Sequence, residues 1–357
     1  MKKWLKKAVA ITGSAVLLGA SLTACGSGGS DSASGDNGTL NIFVWTEYVP
    51  ESVVSAFEEE TGIKVNMTTF SSNEDMLAKL KSESEGTYDI VQPSDYMVEQ
   101  LIAQDMLEKV DTEALTNLDN IGEAYRNPSY DPTGEYSVPY LGGVGAIAVN
   151  TDKITDEITS YDDLFKSEYA NSLVVLDDFR ATIGMTERSM GLSMNETDPD
   201  TLAEVKDKLL TLKNNIKLYD SDSPKSALIS GDCVLGFCWS AEIALAMEEN
   251  PAIEVVYPSE GAFLFLDNWC IPTGTKNYDN ANKFINYMLE AETAKAVGEE
   301  FPYLNPNTAA VELLGSDFSD NPAKNPPAEV IANGEFVQNV DTDTIKILDD
   351  MWTELKK

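Results

Sequence analysis

The chain has 357 residues and is strongly acidic, with 60 Asp and Glu against 25 Lys and Arg and a formal net charge of −35. It contains no His, which excludes Ser-His-Asp and Cys-His catalysis, histidine metal ligands and an imidazole pH switch. A field of this sign repels nucleic acid and anionic headgroups and attracts cations, although solubility at an exposed surface would also account for it.

The N-terminus reads as a leader. Lys2, Lys3, Lys6 and Lys7 precede an apolar core from Ala8 to Leu18, too short to span a bilayer comfortably. Leu22-Thr23-Ala24-Cys25 follows and resembles a lipobox, in which the Cys is lipidated and becomes the new N-terminus; an ordinary signal peptide with a chance Cys is the plainer alternative. Gly26 to Gly38 is rich in Gly, Ser and Asp and reads as a flexible tether. The expected division is a signal peptide over 1–24, a lipidated Cys25 and tether over 25–38, and a globular body beyond. That body is large enough for two domains.

Within the body, strands and helices alternate. Leu40 to Val44 is a strand, Pro50 to Thr61 a helix stopped by Gly62, Ile63 to Phe70 a strand, and Asn73 to Lys81 a helix. Tyr88 to Val91 is a short strand and Met97 to Ala103 a helix, completing a βαβαβα set that favours a parallel sheet. A Gly-rich extended crossing runs from Pro139 to Val149. A second set follows: strand Leu173–Leu176, helix Phe179–Leu192, helix Leu202–Leu212 begun by Asp198 or Asp200, strand Lys217–Tyr219, helix Pro224–Ile229, strand Cys233–Cys238 and helix Glu242–Met247. An extended run from Ile253 to Ile271 leads back to helices at Asn280–Glu290 and Thr293–Glu299. Two α/β sets joined by extended crossings predict two lobes with a cleft between them. Beyond Cys25 the cysteines are Cys233, Cys238 and Cys270; an odd number cannot all pair, and without a CxxC pair neither zinc nor a redox site is expected.

Ligands of open α/β sheets bind beyond the carboxyl ends of the strands. There the sequence places Trp45, Glu47 and Tyr48 after the first strand, Ser94 and Tyr96 after the third, and Asp178, Ser221, Trp239 and Glu242 after strands of the second set. Phe265 and Asp267 fall late in the second extended run, and Tyr303 lies between helices. Rings and carboxylates together suit an organic cation, through cation–π attraction and charge-assisted hydrogen bonds. Each residue also has a plainer reading: Asp178 as a helix cap, Glu242 as an acid in a helix first turn, and Trp239, Phe265 or Tyr303 as core.

The motifs Trp45-Thr46-Glu47-Tyr48-Val49-Pro50, Glu60-Thr61-Gly62-Ile63-Lys64-Val65 and Tyr88-Asp89-Ile90-Val91-Gln92-Pro93-Ser94 resemble the polyamine-binding proteins of bacterial ABC importers. So do Leu176-Asp177-Asp178, Asp220-Ser221-Asp222, Gly261-Ala262-Phe263 and Asn305-Pro306-Asn307, in order along the body. The resemblance implies the two-lobed α/β periplasmic-binding-protein fold of type II, with lobe 1 formed by 39–143 plus 267–312 and lobe 2 by 144–266 plus 313–357. It implies capture of putrescine or spermidine in the interlobe cleft and delivery to the membrane permease subunits of an ABC importer. A lipid-anchored, extracytoplasmic monomer without catalysis, cofactor, metal or nucleic acid is expected. By resemblance Trp45 and Tyr48 wall the groove, Ser94 and Tyr96 line it, and Trp239, Phe265 and Tyr303 are further ring contacts. Asp267 takes the principal ammonium and Asp178 another. The chain departs from the pattern at Ala181, where spermidine-preferring members carry Glu, and at Phe265, where Trp is common; Glu242 matches an acid of putrescine-type members. A Gln of the family falls close to Gln338. A same-fold protein for an amino acid or sugar, and a carboxylate-based hydrolase, are the competing expectations.

Overall fold

The computed structural model describes residues 37–357. The expected signal peptide, the lipidated Cys25 and most of the tether lie outside the described residues. No helix among those described is long and apolar enough to cross a membrane.

Among the described residues eleven strands form the sheet: β1 (Thr39–Trp45), β2 (Lys64–Phe70), β3 (Ile90–Val91), β4 (Leu107–Glu108), β5 (Ser137–Asn150), β6 (Leu173–Val175), β7 (Ile216–Tyr219), β8 (Leu235–Trp239), β9 (Ile253–Val256), β10 (Phe263–Pro272) and β11 (Glu335–Phe336). The main path runs β2-β1-β3-β10-β5-β8-β6-β7. β2, β1 and β3 are parallel, with Trp45 opposite Phe70 and Phe43 opposite Val91. The carboxyl ends of β1 and β3 therefore emerge side by side, and the Trp45 N–H donates to Gln92 Oε1 at 3.3 Å. β7, β6 and β8 are likewise parallel, with Val175 opposite both Tyr219 and Phe237. Their ends bring the segments after Val175, Tyr219 and Trp239 together.

Two long antiparallel strands join these groups. β10 meets β3 at Cys270–Val91 and pairs along its length with β5, whose far half pairs with β8. All 14 residues of β5 are buried, which explains why its sequence is a continuous apolar and Gly run rather than an alternating one. The glycines serve close approach. A Cβ on Gly142 would lie 2.8 Å from the Phe265 carbonyl oxygen, and one on Gly143 would lie 2.8 Å from the Phe265 ring.

Helix boundaries follow local chemistry. Glu51–Thr61 buries Val53, Val54 and Phe57 and ends at Gly62, whose φ of 72° lets its N–H reach the Glu58 carbonyl. Of the two acids the sequence offers, Asp198 caps Pro199–Leu212 and Asp200 falls in its first turn. The second extended run divides into β9 and β10, a break supplied by Pro258 and Gly261. The C-terminal helix Thr342–Lys356 packs Leu348, Met351 and Leu355 on Ile183, Leu202, Val205 and Leu209. Burial of each such side chain contributes about 1.5–3 kcal/mol. Trp269, fully buried, packs on Tyr140 and Phe284 in the core beside β1. Cys233, Cys238 and Cys270 are all buried free thiols.

The ring on Gly143 is itself hemmed in by Trp239, 4.9 Å away between centroids. A Gly143→Val substitution is expected to cost about 1–3 kcal/mol by overpacking, read as a lower urea midpoint at unchanged slope. An unchanged midpoint would show that Phe265 has room to move.

Candidate functional site

The converging strand ends border a cavity that encloses about 720 Å³ of empty space, solvent at its mouth included. At its centre is Asp267. A register shift between Leu266 and Asn268 interrupts the β5–β10 ladder and frees Asp267 from it, the use to which β-bulges are commonly put beside binding sites. Asp267 bridges Ser94 across the sheet, and the Asn268 N–H donates to the Pro93 carbonyl at 2.9 Å. The Ser94 hydroxyl donates to Asp267 Oδ1 at 2.6 Å and the Tyr48 hydroxyl to Oδ2 at 2.8 Å. Asn73 fixes Ser94, donating to its hydroxyl and accepting from its N–H. Tyr140 donates to the Tyr48 carbonyl at 2.8 Å. The Trp45 indole N–H is buried and closes no hydrogen bond of normal geometry, although it faces the same carboxylate.

Asp267 is 3% exposed. Desolvation pushes its pKa up to about 7, against the pull of the Ser94 and Tyr48 hydrogen bonds. Asp95, buried beside it, is raised to about 8 by desolvation, even though it accepts from the Tyr96 and Leu266 N–H groups. Asp178 does two things at once: it caps helix Phe179–Ser189 by accepting from Ala181 N at 2.9 Å, and it borders the cavity. Burial raises its pKa also. Glu74 stands close by, accepting from the Tyr96 hydroxyl at 2.9 Å, and desolvation and then the Asp178 charge lift it to about 7.

The rings form a connected wall. Tyr303 meets Tyr48 edge-on at 5.1 Å and Phe265 at 6.1 Å; Phe265 meets Trp239 at 4.9 Å. Trp45 leans on Phe70 at 4.5 Å. Glu47, between Trp45 and Tyr48, adopts a left-handed conformation with φ of 49°. Such a backbone is disfavoured outside Gly and Asn, and it clusters at functional sites. The Ser221 hydroxyl is buried at the cavity without a hydrogen-bond partner among the described residues.

Of the ring, hydroxyl and acid positions placed at strand ends or in the loop at Tyr303, all border this cavity except Glu242. Glu242 is buried and ion-paired to Lys225 at 2.8 Å, and Lys225 also reaches Glu47 at 3.3 Å. Strand ends do not point to Lys225, which begins a helix rather than following a strand. Asn73, Asp95, Asp222 and Phe263 on the lining also escape the sequence pattern. Asp95 was legible, lying between two chosen residues. Arg180 contributes a guanidinium: it stands 5.1 Å over the Tyr96 ring, donates to the Gln338 carbonyl at 3.0 Å, and leaves Nη1 buried without a partner. Gln338 itself is exposed, and Val337 borders the cavity in its place. Against Glu47, Asp95, Asp178, Asp222 and Asp267, Arg180 is, among the described residues, the one cationic side chain on the lining. Among the described residues no cluster of three or more Cys, Asp or Glu is arranged to hold a metal ion.

A family model for bacterial extracellular solute-binding proteins matches residues 52–327. The spermidine/putrescine-binding periplasmic protein of Salmonella typhimurium is 38% identical over 357 residues, covering 100% of this chain and 99% of that protein. The putrescine-binding periplasmic protein PotF of Escherichia coli is 28% identical, covering 99% and 98%. The solved structure of the spermidine/putrescine ABC transporter substrate-binding protein PotD from Streptococcus pneumoniae superposes with a TM-score of 0.76 at 34% identity, covering 90% of this chain and 99% of that one. These similarities identify the α/β architecture as the two-lobed fold of periplasmic solute-binding proteins.

The raised acids have a consequence for stability. Asp267 and Asp95 retain protons in the native state up to about 7 and 8, whereas an unfolded Asp loses its proton near 3.8. The native state thus binds more protons across that window, and stability falls as pH rises through it. The unliganded protein is expected to melt at a lower temperature at about pH 8 than at about pH 5. Asp267→Asn should flatten that slope relative to wild type, and an equal slope in both proteins would contradict the assignment.

Proposed function

The chain belongs to the bacterial extracellular solute-binding proteins, and from that premise we propose that it captures polyamines, putrescine and spermidine, and delivers them to an ABC importer. The observation that carries this reading is a buried cavity in which Asp267, Asp178 and Asp95 face a wall of Trp45, Tyr48, Trp239, Phe265 and Tyr303. A slender chain with an ammonium at each end matches acids spaced along a groove with rings between them. In this reading Asp267 takes the principal ammonium and Asp178 a second, with Ser94, Tyr96 and Ser221 lining the path between the rings. Glu47 stands at the rim, and Glu242 lies behind the wall.

The lobes in this reading are 39–143 with 267–312, and 144–266 with 313–357. The sheet supports that division: β10 joins β3 at Cys270 and the glycines of β5 near Phe265, and the far half of β5 joins β8. Closure of the lobes over the ligand would then bring Asp267 and Asp178 together from opposite sides. The protein acts by binding rather than catalysis, as a monomer docking on permease subunits, and Cys25 anchors it by lipid to the outer face of the membrane.

A same-fold reading, a solute carrying a carboxylate, has one observation in its favour: the unpartnered Nη1 of Arg180. The carboxylates around it outweigh that single donor.

Isothermal titration with putrescine and spermidine tests the proposal. Micromolar binding corresponds to about −8 kcal/mol, and no heat with either ligand would sink the polyamine reading. Asp267→Asn is expected to weaken binding about tenfold or more, the scale of one charge-assisted bond. Unchanged affinity in a folded variant would remove Asp267 from the ligand contacts.

A further inference from the structure

Lys225 places an ammonium between two acids, of which Glu47 borders the cavity and Glu242 lies behind its wall. Its Nζ lies 2.8 and 3.1 Å from the two carboxylate oxygens of Glu242 and 3.3 Å from Glu47 Oε2. Glu242 comes from the first turn of helix Ser240–Glu249, immediately beyond the cavity residue Trp239. Glu47 comes from the left-handed turn between Trp45 and Tyr48. One internal cation thus spans two acids that come from β1 on one side and β8 on the other. The pair sits at the edge of the ring wall, where the charges of Glu242 and Asp267 both act on the Tyr303 hydroxyl.

Resting on the polyamine reading, we infer that Lys225 is a tethered substitute for a ligand ammonium: it fills the Glu47–Glu242 acid pair, ends the groove there, and sets the length of polyamine the cleft accepts. Two physical points make the occupancy permanent. The Glu242 side chain is 4% exposed, and a buried carboxylate stripped of its partner is strongly destabilising. The competing ligand ammonium is free in solution, whereas Lys225 is covalently held at an effective concentration in the millimolar range or above. Burial alone would lower the Lys225 pKa, but Glu242 and Glu47 override it and the net shift is upward, so the side chain stays charged. Glu242, the acid that by sequence promised an ammonium site, is satisfied from within the chain, and Asp267, Asp95 and Asp178 are left to the ligand.

The test compares putrescine with spermine, which is longer and carries additional amines, by titration calorimetry on wild type, Lys225→Met and Lys225→Met/Glu242→Gln. Removing the ammonium should open the acid pair, so the spermine-to-putrescine affinity ratio should rise about tenfold in Lys225→Met, the value of one charge-assisted contact. It should return close to the wild-type ratio in the double variant, which has lost the vacated acid. Lys225→Gln, able to hydrogen-bond Glu242, serves if the Met form does not fold. An unchanged ratio, or equal weakening of both ligands, would overturn the inference and reduce Lys225 to a strut between the two sides. Wild type that binds neither ligand would instead refute the polyamine reading itself.

Discussion

A carboxylate held out of water by two hydroxyls is the constraint around which the rest of this structure is arranged. Asp267 is 3% exposed, and its carboxylate accepts from the Ser94 and Tyr48 hydroxyls, with the Trp45 indole N–H facing it. Burying an unpaired ionised carboxylate is costly enough that such groups shift their pKa and take up a proton instead. The surroundings serve to hold it in place regardless. A β10 bulge turns it out of the ladder, the Pro93 carbonyl takes the next N–H, Asn73 fixes Ser94, and Tyr140 fixes the Tyr48 backbone. The left-handed Glu47 turn brings Tyr48 back toward the carboxylate. A strained turn at Glu47 beside a desolvated acid at Asp267 marks a site prepared for a partner.

The electrostatics of the cavity sort into two populations. Asp267, Asp95 and Asp178 are raised by burial and form no ion pair among the described residues. Glu242 is buried but paired, with Lys225 supplying the ammonium. Arg180 takes an intermediate place, stacked on Tyr96 and near enough to Glu74 and Asp178 to oppose part of the rise that burial imposes on each. The acids of the strand ends therefore do not act as one pool of negative charge. Some are spent within the fold, and the remainder, spaced between rings, give the cavity its preference for a cation.

The sequence made the strands and first-set helices legible because each carries its own signal. Glycine stops Glu51–Thr61 at Gly62, Asp198 caps Pro199–Leu212, and the β1 apolar run is buried as a parallel strand should be. The ring and acid positions were legible through the rule that parallel strand ends converge, and the β1/β3 and β6/β7/β8 registers bring them together. Charge pairing was not legible. Lys225 and Glu242 are 17 residues apart on different helices, and nothing local to either announces the other. Asp178 carried two readings in the sequence, cap and site, and geometry permits both, since one oxygen caps Ala181 while the residue borders the cavity. The C-terminal helix Thr342–Lys356 carries a local signal too, with Asp341 at its N-cap and Leu348, Met351 and Leu355 at helical spacing, whereas the two-residue strand β11 leaves none, because its placement depends on pairing with β10.

The central claim is that the buried, proton-holding carboxylates are the groups that meet the ligand's ammoniums. A cation that binds there must displace their protons. Calorimetric titration of spermidine at about pH 6, in two buffers of different ionisation enthalpy, measures that displacement directly. With Asp267 raised to about 7 and Asp95 to about 8, binding should release protons and the observed heat should differ between the buffers. Identical heats, or proton uptake, would contradict the account.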